Sequence, residues 1–438
     1  MQETTFRQRL AGVLILLGLI AQILGFTGLI NTAHAVSYVL WLAVILLWKD
    51  IPKRSRFQAG VLMVLGILTL LVARFYYHNH VDWPAMLQGN AFVVAMLVGV
   101  SFISLVGKQQ GRKKAPGKRL TGSGGVLRTW LGVHFLGTIL NISTVIMVGD
   151  RLARTAPLTI PQYLALNRGL SSAALWSPFF ASMGIVIALA PQMQYSYVAL
   201  FGFPLAMISG LLTTLELGRR FDLREVYGFS LAPRSLLMPV IMALLVMVFH
   251  FWLTPRLSIV GIITFLIPAV ALIYNLREGI GYTLWRVRQH TTTRLPAMRG
   301  EVSLFLAAGL FTLGLSALVA AVAGNDWTLF ETFGAQQGMI SFLSIVLSAL
   351  VGLHPIIGVS VLASIVSLHG GEHTLFAFVC LCSWAVGTSV GPLSGINLSL
   401  QGRYGINGYH MMKNNLLYAA VMSLLSLASI TAMSYLVT

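Results

Sequence analysis

Apolar residues in this chain gather in uninterrupted blocks of about 17 to 25, each long enough to cross a bilayer hydrocarbon core about 30 Å thick. A helix that is apolar on every side needs protein or lipid around it, so such blocks leave few alternatives to a membrane. Composition agrees: of 438 residues, 57% are hydrophobic and 9% charged, with a mean hydropathy of +0.82, against roughly 25% charged residues in a soluble domain. The blocks are continuously apolar rather than alternating, which predicts helices and not barrel strands. The chain therefore reads as an all-α polytopic membrane protein.

The net charge of +17 does not point to nucleic acid, because Lys and Arg form no single patch with interleaved aromatics. They recur between apolar blocks, as at Lys49, Lys53, Arg54 and Arg56, or Lys108, Arg112, Lys113, Lys114, Lys118, Arg119 and Arg128. That is the pattern of cytoplasmic loops, and the run from Lys108 to Arg119 reads as a loop facing anionic lipid. Cys380 and Cys382 stand two apart, a spacing that points them in different directions on a helix. They read as packing residues. Arg7 and Arg9 precede an apolar run from Leu10 to Ile30, longer than the roughly 7 to 15 residues of a signal-peptide core. Residues 1–34 are therefore expected to hold an uncleaved first transmembrane helix.

Eleven spans are predicted, near 10–31, 35–48, 57–77, 89–107, 171–191, 195–217, 235–253, 259–276, 302–324, 374–400 and 415–437. Two further apolar segments, about 129–149 and 341–368, are interrupted by Asn141-Ile142-Ser143-Thr144 and by Gly352-Leu353-His354-Pro355. If both crossed fully, the basic segment 218–234 would face the side opposite to 108–128, against the positive-inside rule. Read instead as re-entrant hairpins, they leave every Lys and Arg except Arg74 and Arg256 on the cytoplasmic side. The amino terminus is then cytoplasmic and the carboxy terminus outside. The segment 325–338, with Asp326 and Glu331 and no cation, is an outer loop. The first hairpin opens to the cytoplasm and the second to the exterior. The expected location is a bacterial cytoplasmic (inner) membrane.

Three spans, a hairpin and two spans fill 35–234, and the same order returns over 235–438, starting from the other side. This is an inverted-topology repeat, as in many secondary transporters. Asn141 and His354 lie 213 residues apart, and Pro178 and Pro392 lie 214 apart. Each half places a hairpin break before a span disturbed by proline and small polar residues, at 171–178 and at 387–397. Broken helices at matching positions can offer freed carbonyls and amides to ions and solute near the midplane.

In layout the chain resembles the ion transporter superfamily, in particular the divalent anion/sodium symporters and their arsenite, citrate and TRAP-permease relatives. Symporter members carry Ser-Asn-Thr at both hairpin tips; here the first tip reads Asn141-Ile142-Ser143-Thr144 and the second, Gly352-Leu353-His354-Pro355, lacks the motif. The resemblance implies a transporter driven by a sodium or proton gradient, dimeric, with a sliding transport domain. It does not carry over dicarboxylate specificity.

Sodium needs only oxygen ligands, and the breaks offer Asn141, Ser143, Thr388, Ser389 and Asn397 for it. A small anionic solute is expected against Asn141, Ser143, Thr144, Trp176, Ser177, His354, Thr388, Ser389 and Ser394. Each hydroxyl has a plainer reading, since Ser and Thr often bond the preceding helical turn. Asp150 ends the first hairpin and Glu216 ends a span, so no carboxylate sits mid-helix for a proton relay, which favours sodium over protons. His354 either serves an anion or a proton or simply packs. Arg168 either snorkels at a span end or, as the cation nearest the first broken helix, helps hold an anion. Helix N-termini would supply the rest of an anion site. The sequence shows no phosphate loop, no HExxH and no paired-cysteine metal site, so no enzyme activity and no cofactor beyond a coupling sodium ion is expected. The competing class is a lipid-carrier flippase or a lipid-head-group-modifying enzyme. Against it, the outer loops are short and poor in His and carboxylates.

Overall fold

The computed structural model describes residues 4–106, 120–154, 156–229, 234–324 and 327–437. Lys108, Arg112, Lys113, Lys114, Lys118, Arg119 and Asp326, used above for topology, lie outside the described residues. The helices of the first half are α1 (Phe6–Gly25), α2 (Ala33–Leu47), α3 (Lys53–Leu71), α4 (Trp83–Met86), α5 (Ala91–Ser101), α6 (Gly122–Leu140), α7 (Ser143–Leu152), α8 (Ile160–Ala173), α9 (Ala181–Leu189) and α10 (Tyr195–Arg220). Those of the second half are α11 (Arg234–Val248), α12 (Ile259–Leu276), α13 (Ile280–Gln289), α14 (Leu295–Ala297), α15 (Arg299–Ala323), α16 (Ala335–Leu350), α17 (Pro355–Ile365), α18 (Glu372–Val390), α19 (Gly395–Tyr404) and α20 (Gly408–Val437).

Among the described residues there is no strand, only an isolated bridge between Thr121 and Tyr227. Nine helical segments among them are long and apolar enough to cross a membrane. Large apolar side chains stay exposed along these helices, as Leu200, Leu211 and Leu215 do on α10 and Leu417 and Leu424 on α20. Continuous apolar surface of this kind marks contact with lipid or protein rather than water. The chain is a helical integral membrane protein.

Nine is fewer than the eleven spans predicted. Around 235–253 the described apolar helix, Val240–Leu253, falls short of the length counted as a span. Around 171–191 the helix begins earlier than hydropathy suggests and is interrupted, so α8 and α9 are each too short to count. The polar residues Gln162, Asn167, Arg168, Ser171 and Ser172 hide the first part of α8 from a hydropathy scan, yet all five are buried.

The helices form two compact units. The described residues of the first lie within Met1–Gln110, Leu244–Leu329 and Ser360–Ser367. There α1 packs on α2, α3 on α15 and α5 on α12. Close approach is allowed by small residues, the usual device between membrane helices; a Cβ on Gly99 would stand 2.7 Å from the Thr264 carbonyl oxygen. Asn275, buried in this unit, donates from Nδ2 to the Leu105 carbonyl at 3.0 Å.

The second unit draws on Gly111–Ala243, Phe330–Val359 and Leu368–Thr438 and contains every residue singled out above for ion or solute. Its elements recur at a constant interval. Ala335 opens α16 213 residues after Gly122 opens α6, Glu372 follows Ile160 by 212, Gly395 follows Ala181 by 214 and Gly408 follows Tyr195 by 213. Four interruptions separate these helices, at 141–142, 174–180, 351–354 and 391–394, and α8 and α18 pack on each other.

Two clusters of helix ends frame the unit. In the first, the Gly122 N–H donates to the carbonyls of Leu223 (3.0 Å) and Val226 (3.1 Å), and the Gly228 N–H donates to that of Leu120 (2.9 Å). Gln162 Nε2 reaches the Tyr227 carbonyl at 2.9 Å. The starts of α6 and α8 thus meet the chain that leaves α10. In the second cluster, the Phe333 N–H donates to Glu372 Oε1 at 2.9 Å, and Gly371 lies directly against the Val437 carbonyl. The starts of α16 and α18 thus meet the end of α20. The Gln194 N–H, at the start of α10, donates to Thr374 Oγ1 at 3.0 Å and belongs to this second cluster. With 26 residues at about 1.5 Å each, α10 runs from the second cluster to the first.

Candidate functional site

Helix α6 stops at Asn141 because the backbone there takes φ 51° and ψ −141°. That region is nearly reserved for glycine, and holding another residue in it costs about 1–3 kcal/mol. The side chain helps to hold it: Nδ2 donates to the carbonyls of Ile139 and Phe179, both at 3.2 Å. Ser177 Oγ donates to the Thr138 carbonyl at 2.8 Å and accepts the Phe179 N–H at 3.3 Å. The first tip is therefore fastened to the α8/α9 interruption. Asn141 Oδ1 and Thr144 Oγ1 are buried without a hydrogen-bond partner, as is Ser182 Oγ on α9. Buried polar atoms are nearly always paired, so two partnerless oxygens at one tip are an available ligand set. Ser143 opens α7 beside them.

Trp176, also on the interruption, has its indole N–H already engaged: it donates to His134 Nε2 at 3.2 Å. His134 is fully buried, stacked on Trp130 at 4.5 Å, and its Nδ1 faces Ser172 Oγ at 3.0 Å and the Gly169 carbonyl at 3.2 Å. A ring accepting at Nε2 carries its proton on Nδ1, so His134 joins α6 to α8 as a neutral bracket.

At the second tip, His354 Nδ1 accepts the Ile356 N–H at 3.2 Å and the ring meets Trp384 edge to face at 5.4 Å. The neutral ring then carries its proton on Nε2, a donor suited to an anion. Thr388 Oγ1 donates back to the Trp384 carbonyl and Ser389 Oγ to that of Val386, each at 2.7 Å. Both hydroxyls make the helical back-bond and keep only lone pairs to offer. Ser394 caps α19 by accepting the Asn397 N–H at 3.4 Å.

Asn397 belongs to a buried network that sequence reading did not assemble. Its Oδ1 accepts from Asn167 Nδ2 and its Nδ2 donates to the Gly391 carbonyl, both at 2.8 Å. Asn415 Nδ2 donates to the Ser389 carbonyl at 2.9 Å and to Asn167 Oδ1 at 3.4 Å. Arg168 Nε donates to Asn415 Oδ1 at 2.8 Å, and its other nitrogens reach Glu216 at 2.7 Å and the Asn414 carbonyl at 3.3 Å. The guanidinium also lies 4.4 Å over the Tyr418 ring, and Glu216 pairs with Arg220 as well. Arg168 is fully buried, so the snorkelling reading is overturned: its charge is met inside the unit by a carboxylate. Its three nitrogens all have protein acceptors, which leaves it poorly placed to hold an anion.

Asp150 closes α7 in an ion pair with Arg403, both bonds at 2.9 Å, and accepts from the Tyr404 hydroxyl at 3.0 Å. The Arg403 hydrogen bond holds the carboxyl below its ordinary range, so it is ionised and engaged at neutral pH. Among the described residues no three His, Cys, Asp or Glu gather as a metal site would need. No protein-family model matches the chain, and no curated protein matches it in sequence.

Proposed function

We propose that this protein is a secondary active transporter that moves a small anionic solute with sodium, by an elevator-type alternating-access mechanism, as a homodimer with the ion transporter architecture. The observation that carries the reading is the pair of helix-end clusters. In the first, α6 leaves and α8 begins; in the second, α16 leaves and α18 begins. The starts of α6 and α8 therefore share one end of the unit, and those of α16 and α18 share the other. Because α10 joins the two clusters end to end, the pairs enter from opposite sides, as two opposed re-entrant hairpins would. Their tips meet the two interrupted helices at Phe179 and at Trp384, where Asn141 Oδ1 and Thr144 Oγ1 offer oxygens to a desolvated ion. Gly352 of the second tip lies against Leu393 of the α18/α19 interruption, and the His354 ring and the start of α19 supply groups that suit an anion.

The test is transport by the full chain in liposomes on a solid-supported membrane, challenged with a panel of carboxylates and oxyanions. A transient current is expected for one class of anion in sodium and not in choline. Absence of any solute-dependent current, together with scrambling of a fluorescent lipid, would assign the protein to the lipid-handling class instead.

A further inference from the structure

The interrupted helix α18/α19 frees backbone carbonyls, and two of them are met by side-chain amides: Ser389 by Asn415 and Gly391 by Asn397. An amide can turn over and present oxygen in place of nitrogen, so something has to fix its direction. Here both ends of the network do so. Arginine is a donor only, and Arg168 Nε faces Asn415 Oδ1 at 2.8 Å, which turns the Asn415 amine toward Ser389 and Asn167. Asn167 then presents its amine to Asn397, and Asn397 its own to Gly391. Carbonyls are acceptors only, so the far end demands the same direction that the guanidinium imposes. Asn167, Arg168, Asn397 and Asn415 are all fully buried, so water cannot substitute for a lost link.

We propose that Arg168, anchored by Glu216, is the positioning residue of the second interruption: its charge sets a one-way donor relay through Asn415, Asn167 and Asn397 that holds the Ser389 and Gly391 carbonyls in place. Asn397 accordingly acts by orienting Gly391 and not as a sodium ligand through its own oxygen. The relay's direction stands on the hydrogen bonds alone, whereas its consequence for sodium rests on the transporter reading above.

Asn397→Asp separates the possibilities, because aspartate keeps the oxygen that accepts from Asn167 but loses the donor to Gly391. The full chain is purified at one fixed pH and its unfolding midpoint measured in sodium chloride and in choline chloride. The relay predicts that Asn397→Asp melts below Asn397→Ala in choline, since a carboxylate would face the Gly391 carbonyl, and that half-saturating sodium rises at least tenfold. Failure of Asn397→Asp to fold while Asn397→Ala folds is the same ordering. An Asn397→Asp protein that melts with or above Asn397→Ala, or that binds sodium more tightly than the original chain, overturns the proposal and makes Asn397 a direct ligand. The second pair is Arg168→Lys and Arg168→Gln: lysine, still donor-only, should retain most of the stability that glutamine loses, and equal losses would contradict the relay. If the original chain shows no sodium effect, the sodium reading fails, while the choline ordering still decides the relay.

Discussion

Glu216→Leu is expected to be the most destabilising single side-chain change in the second unit. The carboxylate is 7% exposed and is shared by Arg168, which has no exposure, and Arg220. Removing it strands the Arg168 guanidinium among helices, where breaking a buried pair costs about 3–5 kcal/mol, a large share of a total stability of about 5–15 kcal/mol. Arg168→Met should cost less, because Glu216 keeps Arg220, although it orphans Asn415 Oδ1. The double variant removes both charges and should recover part of the loss, giving a coupling energy that a double-mutant cycle in denaturant can read. Additive effects of below about 1 kcal/mol each would mean the pair is solvated in the native state.

The second large effect is expected at Asn141, and it separates backbone from side chain. Asn141→Gly should melt above Asn141→Ala in choline, because glycine accepts φ 51° without strain while both variants lose the bonds to Ile139 and Phe179. Asn141→Gly should nevertheless lose the sodium-dependent rise in midpoint, since Oδ1, partnerless in the fold, is the ligand removed. Asn141→Ala should lose that rise too, and carries about 1–3 kcal/mol of backbone strain besides. A full sodium response in Asn141→Gly would show that the first tip is a structural corner and not an ion site. His354→Ala is expected to disturb solute more than sodium, because its available donor is suited to an anion.

Much of the frame is legible in the sequence because its signals are local. Asn141, Pro178, the run from Gly352 to Pro355 and Pro392 all fall at or beside interruptions of helices, and local backbone chemistry alone marks them. Helix α8 was not legible, because hydropathy averages over neighbours and cannot see that Asn167 and Arg168 are paid for by Asn397, Asn415 and Glu216, which lie 230, 247 and 48 residues away. The same averaging puts Arg168 at a span end, where it reads as a snorkelling cation or as a partner for an anion. For the hydroxyls of Thr388 and Ser389 the plainer reading beside ion ligation is the bond to the preceding turn, and both make it. The bonded ends of α6, α8 and α10 could not be read from spacing, because they join residues about 100 apart in the chain.

Opposed hairpins are the centre of the account, and sidedness of single cysteines tests them most directly. Ser123, Arg224 and Gln336 are exposed in the fold, and the two native cysteines are buried. In oriented membrane vesicles carrying the full chain, Ser123→Cys and Arg224→Cys should react with an impermeant maleimide from the same, cytoplasmic, side, and Gln336→Cys from the other. Labelling of Ser123→Cys and Arg224→Cys from opposite sides would mean that the first pair crosses the membrane completely, and labelling of all three from one side would remove the inversion on which the transporter reading stands.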